Sequence, residues 1–87
     1  MARYFFHTLD GECVRDELGE ELAGDDAARE EALVVFGELL QHCGHKFWHS
    51  GTFSVIATNE QREVVIALTA QASTDLPDDD RASALVG

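Results

Sequence analysis

The sequence predicts an α+β fold of order β-β-α-β-β: a four-stranded, mainly antiparallel sheet with one helix packed on one face and a flexible C-terminal tail. Three observations predict it. Two pairs of apolar runs are each interrupted by turn residues. A single stretch of 3.6-residue periodicity lies between the pairs. The last residues turn small and polar. Eighty-seven residues suffice for one domain. The reading divides the chain into a single ββαββ domain over 1–71 and an acidic tail over 72–87.

Residues 3–8 are aromatic-rich, as strands are, and Asp10-Gly11 marks a hairpin turn before a second run over 12–16. A three-residue loop with Gly11 in a left-handed bulge sets Phe6 opposite Val14. That register gathers Tyr4, Phe6 and Val14 on one face. Asp16-Glu17-Leu18-Gly19 reads as a turn, with the carboxylate accepting from backbone N–H groups two residues on. Residues 20–24 read as a linker.

The helix is expected to start at Asp25 as N-cap, with Asp26 adding negative charge at its positive end. Ala28, Ala32, Val35, Phe36, Leu39 and Cys43 fall on one side, widened by Leu33 and Leu40, and Glu30, Glu31, Glu38 and Gln41 lie opposite. Gly44 is the expected stop. Gly37 sits mid-helix, either tolerated at the surface or facing a close neighbour.

Residues 52–58 and 63–71 form the second hairpin around Asn59-Glu60-Gln61-Arg62. A four-residue loop pairs Val55 with Ile66 and Ala57 with Val64. Beyond 72, Pro77 and Asp78-Asp79-Asp80 mark the tail, with a short helical turn possible over 81–86.

One helix covers one face of such a sheet. The other would carry Phe5, His7, Ile56, Val65 and Ala67, an apolar group of the kind that marks an interaction surface. The favoured occupant is a second copy of the chain, giving a homodimer. A tail folded back through Leu76, Leu85 and Val86, or plain water, are the alternatives.

The formal net charge is −11, and acids crowd residues 10–31, where Arg15 and Arg29 are the only bases. Nucleic acid and anionic membrane are disfavoured as partners, since both need clustered Lys and Arg. A basic protein partner fits the charge better. Two cysteines, Cys13 and Cys43, with no apolar leader and no ~20-residue apolar span, suggest a cytoplasmic protein with free thiols.

The sharpest local feature is the cluster His42, Cys43, His45 and His49. These are zinc-ligand types at plausible spacing, but no second cluster completes a four-ligand site. Cys43 also falls on the buried stripe, and Phe47 and Trp48 suggest packing, so surface histidines in a helix-to-strand loop are the favoured explanation of the segment. No nucleophile motif, calcium loop or glycine-rich phosphate loop is present. The sequence therefore points to no catalytic residues and no cofactor. The favoured reading is a non-enzymatic, self-associating protein-binding module. The alternatives are a small metal-binding protein using the 42–49 cluster, or an antitoxin-like regulator of a basic partner.

Arg3-Tyr4-Phe5-Phe6-His7, Asp10-Gly11, Arg15-Asp16-Glu17-Leu18-Gly19-Glu20-Glu21-Leu22 and Ala27-Ala28-Arg29-Glu30-Glu31-Ala32 resemble a family of short, uncharacterised proteobacterial proteins labelled a domain of unknown function. Phe47-Trp48 and Thr58-Asn59-Glu60 resemble it too. The likeness spans about residues 2–70, resting on an aromatic first strand, a D-x-x-G turn and an Ala/Arg-rich helix. The family pattern has a glycine late in the second hairpin turn, where this chain has Arg62, and it lacks the histidine cluster. The resemblance implies a bacterial, cytosolic protein with no catalytic residues to carry over.

Overall fold

The computed structural model describes residues 1–73. The elements run β1 (Ala2–Leu9), β2 (Cys13–Val14), β3 (Glu20–Leu22), α1 (Asp25–His42), α2 (Gly44–Ser50), β4 (Thr52–Thr58) and β5 (Val64–Gln71). The sheet is antiparallel, in the order β2-β1-β4-β5, and β3 joins β1 on the same edge as β2. The α+β architecture read from the sequence is the one observed, with two added elements. The stretch 20–24, expected to be linker, supplies β3, and the expected loop after α1 is a second helix. The predicted tail lies outside the described residues beyond Ser73, as do its 81–86 turn and its fold-back.

The core forms where α1 crosses β4 and β5. Ala32, Val55 and Ala57 are fully buried and Phe53 nearly so, with Phe6, Val35, Phe36, Leu39, Leu40, Phe47, Ile66 and Leu68 packed around them. Two alanines on α1, Ala28 and Ala32, let its backbone approach the sheet. Phe36 and Phe53 pack ring on ring at 5.7 Å. Leu33, expected to widen the stripe, is exposed instead. Gly37 is exposed, and a Cβ there would meet nothing within 4 Å, which favours the surface reading over a close neighbour.

The N-terminus of α1 departs from expectation for a specific reason. Asp25 does not cap; its Oδ1 accepts from the Tyr4 hydroxyl at 2.7 Å. The cap position falls to Gly24, which offers no side chain. The contact pins the first turn of α1 to β1, and Tyr4 itself is buried. The hydrogen bond to Asp25, then burial and the charges of Asp25 and Glu60, hold the phenol above its ordinary value.

Gly44 does not stop the helical chain. α1 ends at His42, Cys43 bridges, and α2 begins at Gly44. The left-handed stop is Gly51 at φ 79°, whose N–H reaches the Phe47 carbonyl at 2.7 Å. Phe47 packs on the core, but Trp48 is 75% exposed and only meets the Phe47 ring edge-on.

Both hairpins are offset by two residues from the expected register. Val14 pairs with Thr8, not Phe6, around a loop over 10–12. Val55 pairs with Leu68 and Ala57 with Ile66, around a loop over 59–63. A two-residue slip preserves side-chain parity, so the assignment of residues to faces survives except at Val64, which was expected opposite Ala57 on the core face but pairs with Thr58 on the open side of the sheet and is exposed. Val14 shares the helix-side face but is 56% exposed, because the edge strand β2 lies outside the core that the helices cover. The longer second loop is built by Asn59, whose Oδ1 accepts from the N–H groups of Gln61 and Glu63. A bulge next to Ala57 and Thr58 then makes Val65 the extra residue, with Thr58 paired to Val64.

Candidate functional site

β1 and β4 pair along Phe5↔Thr58, His7↔Ile56 and Leu9↔Ser54, and Ile56 pairs on to Ala67 of β5. These positions alternate with the buried ones and make the face that α1 does not cover. Phe5, His7, Ile56 and Ala67, four of the five residues expected on this face, are therefore brought together. Val65 is the residue inserted by the bulge, without a β4 partner of its own. Phe5 and His7 lie two apart on β1 with rings parallel to within 9° and centroids 6.5 Å apart.

One end of this face is shaped by the turn after β2. β1 pairs with β3 at residues 2–4 and with β2 at residues 8 and 9. Between these two ladders a side chain takes the place of a strand. Asp16 Oδ2 accepts the Phe6 N–H at 3.1 Å, while its Oδ1 accepts the N–H groups of Leu18 and Gly19 at 3.1 Å each. In return the Asp16 N–H donates to His7 Nδ1 at 3.0 Å. His7 Nδ1 is thus an acceptor, so in the neutral ring Nε2 carries the proton and donates to Thr58 Oγ1 at 3.0 Å. Burial alone would raise the Asp16 carboxyl, but the three backbone donors, aided by His7, outweigh it and hold the carboxyl below its ordinary 3.8. Arg3 fastens the turn from outside, through its guanidinium to the Leu18 carbonyl at 2.6 Å and to Glu21.

The turn and the second hairpin loop face each other across a cleft of about 420 Å3, lined by Phe5, His7, Arg15, Asp16, Glu17, Thr58, Asn59, Glu60 and Arg62. Arg62 sits at φ 66°, the one non-glycine residue at positive φ among those described. Left-handed backbone costs an ordinary residue about 1–2 kcal/mol. Arg62→Gly is therefore expected to stabilise the protein by about 0.5–1 kcal/mol, after the extra freedom glycine gives the unfolded chain is subtracted. Urea denaturation measures this, and a lower midpoint for the variant would mean that the arginine side chain contributes more than its backbone costs.

The histidine cluster does not converge. His42, His45 and His49 are exposed and Cys43 is half-buried. His45 and His49 instead line a second cleft with Lys46, opposite Asp10, Gly11 and Glu12 at the tip of the first hairpin. Among the described residues, no group of three or more His, Cys, Asp or Glu side chains is arranged to hold a metal ion. Both cysteines are free thiols. No helix among the described residues is long and apolar enough to cross a membrane.

Sequence reasoning found the open face by parity and the D-x-x-G turn by residue type. It missed the grip of Asp16 on β1 and the cleft itself, because both depend on which strands lie side by side. A family model described as "Domain of unknown function (DUF6894)" matches residues 3–71. No curated protein and no solved structure matches the chain.

Proposed function

We propose a function from one premise: the chain belongs to the family described as Domain of unknown function (DUF6894). The protein is a non-enzymatic binding module whose working surface is the open face of the sheet, and its partner there is a second copy of the same chain. One observation carries this reading. The outward positions of β1 from Phe5 to Leu9, of β4 from Ser54 to Thr58, and of β5 from Ala67 to Thr69 include no Asp or Glu, in a chain that has 17 of them. Two copies at net charge −11 repel wherever their carboxylates meet. This face is where they come together without that cost, with Phe5, Leu9, Ile56 and Ala67 to bury.

The expected dimer is weak. The three long strands β1, β4 and β5, about 4.8 Å apart and about seven residues long at about 3.3 Å each, make a plate of about 14 by 23 Å. That is about 40% of the area per partner of a standard stable interface. The mass measured by sedimentation equilibrium is expected to rise with concentration toward twice the monomer, with a dissociation constant of about 10–100 μM. Ile56→Glu places a carboxylate at the centre of the face and is expected to abolish the dimer, with circular dichroism checking that the fold persists. A wild type that stays monomeric up to about 1 mM, or a variant that dimerises equally well, rules the reading out.

A further inference from the structure

We propose that the cleft between the 16–19 turn and the second hairpin loop binds a small molecule bearing a carboxylate or phosphate, gripped by Arg15 and Arg62. The site shares Phe5 and His7 with the open face, so it needs no second copy but competes with one for those two residues. Its first support is the state of the two guanidiniums. Arg3 and Arg29, elsewhere on the described chain, are each paired with a carboxylate. The guanidiniums of Arg15 and Arg62 have no hydrogen-bond or ion-pair partner among the described residues, and both residues line this one cleft. In a chain so rich in acids, two arginines left unpaired at one place are donors held open for something else.

The second support is the backbone of Arg62. Glycine would occupy φ 66° without strain, yet the position carries a long cationic side chain. Strained residues persist where the side chain has a use that offsets the strain.

The cleft also contains three carboxylates, and their engagements differ. Asp16 spends both oxygens on backbone N–H groups. Glu60 Oε1 accepts the Arg3 N–H at 3.0 Å. Glu17 alone is uncommitted, and it is exposed. Two planar guanidinium forks match the geometry of a carboxylate or phosphate. The Phe5 and His7 rings supply an aromatic floor, and the volume of about 420 Å3 lies within the range of small-molecule sites. The ligand class is therefore a small organic oxyanion with an apolar or aromatic body.

The test is an amide chemical-shift titration of the full chain with three probes: benzoate, phenyl phosphate and uncharged benzyl alcohol. Benzoate, phenyl phosphate or both are expected to give saturating shifts at Phe5, His7 and Thr58, with dissociation constants of about 1 mM. The stronger of the two identifies the preferred oxyanion. Benzyl alcohol is expected to give none. Arg62→Gly and Arg15→Gln are each expected to weaken binding about tenfold or more, the loss of one charge-assisted pair. Arg62→Gly is expected to be more stable than wild type, so unfolding does not account for its loss. Ala67→Glu breaks the dimer from β5, a strand further from His7 than Ile56, and is expected to bind at least as tightly as wild type, which separates this site from the dimer. Absence of saturating shifts with both anions, equal binding of benzyl alcohol, or wild-type affinity in Arg62→Gly overturns the proposal.

Discussion

Gly19→Ala is expected to lower stability by about 2–4 kcal/mol. Two costs add. Gly19 lies at φ +70°, where an alanine loses about 1–2 kcal/mol relative to glycine. A Cβ there would stand 2.8 Å from the Tyr4 carbonyl oxygen and 2.9 Å from two carbons of the Phe5 ring. The ring can turn away, since Phe5 faces the open side of the sheet. The carbonyl cannot, because it belongs to the backbone of β1, so the turn must move off the strand. Forced shifts of that kind cost about 1–3 kcal/mol. A domain of this length has about 4–13 kcal/mol in all. The loss should therefore appear as a fall of about 10–20 °C in the thermal midpoint. Gly44→Ala is the matched control, because a Cβ there meets nothing within 4 Å. A Gly19→Ala midpoint within about 3 °C of the control would show that the turn does not bear on β1 in solution.

The D-x-x-G motif shows how far a sequence reading reaches in this protein. That Asp16 and Gly19 make a turn is local information, and it was legible. That Asp16 also fills a missing rung on β1 is not local, because it requires β2 and β3 to pair with the two ends of one strand and leave its middle open. The same division holds for the sheet. Alternation of apolar residues gave the correct faces for Tyr4, Phe6, Val55, Ile66 and Leu68, since parity survives a two-residue slip. It could not give the register, which Asn59 sets through its side-chain turn and the bulge after it. β3 was hidden because Glu20 and Glu21 look like linker; they form a strand only because the edge of β1 is there to receive them. α2 was hidden by a glycine at its start and histidines throughout, a composition with weak helical preference. In the cleft, Arg15 and Arg62 are far apart in sequence and meet only through the β1–β4 pairing.

Asp16→Ala is expected to cost about 2–3 kcal/mol at pH 7, because three backbone N–H groups lose their acceptor at once. Water reaches part of this turn, which keeps the figure below the sum for three buried donors. The pH dependence makes the assignment specific. The carboxyl is held below 3.8 in the folded protein, so the folded state favours the ionised form. Its contribution is fully present above the unfolded value and is lost as pH falls through the folded value. Wild type and Asp16→Ala should therefore differ most at neutral pH and draw together as pH falls below 3.8. Asp16→Asn keeps one oxygen for the Leu18 and Gly19 amides but turns an NH2 group toward the Phe6 N–H, a donor facing a donor. It should be destabilised at neutral pH with little further change on acidification. Urea denaturation of the three proteins at pH 7, 4 and 3 reads all of this. A gap between wild type and Asp16→Ala that stays constant with pH would mean that the turn is held by its backbone geometry and Arg3, and that the carboxylate does not serve as the missing rung of β1.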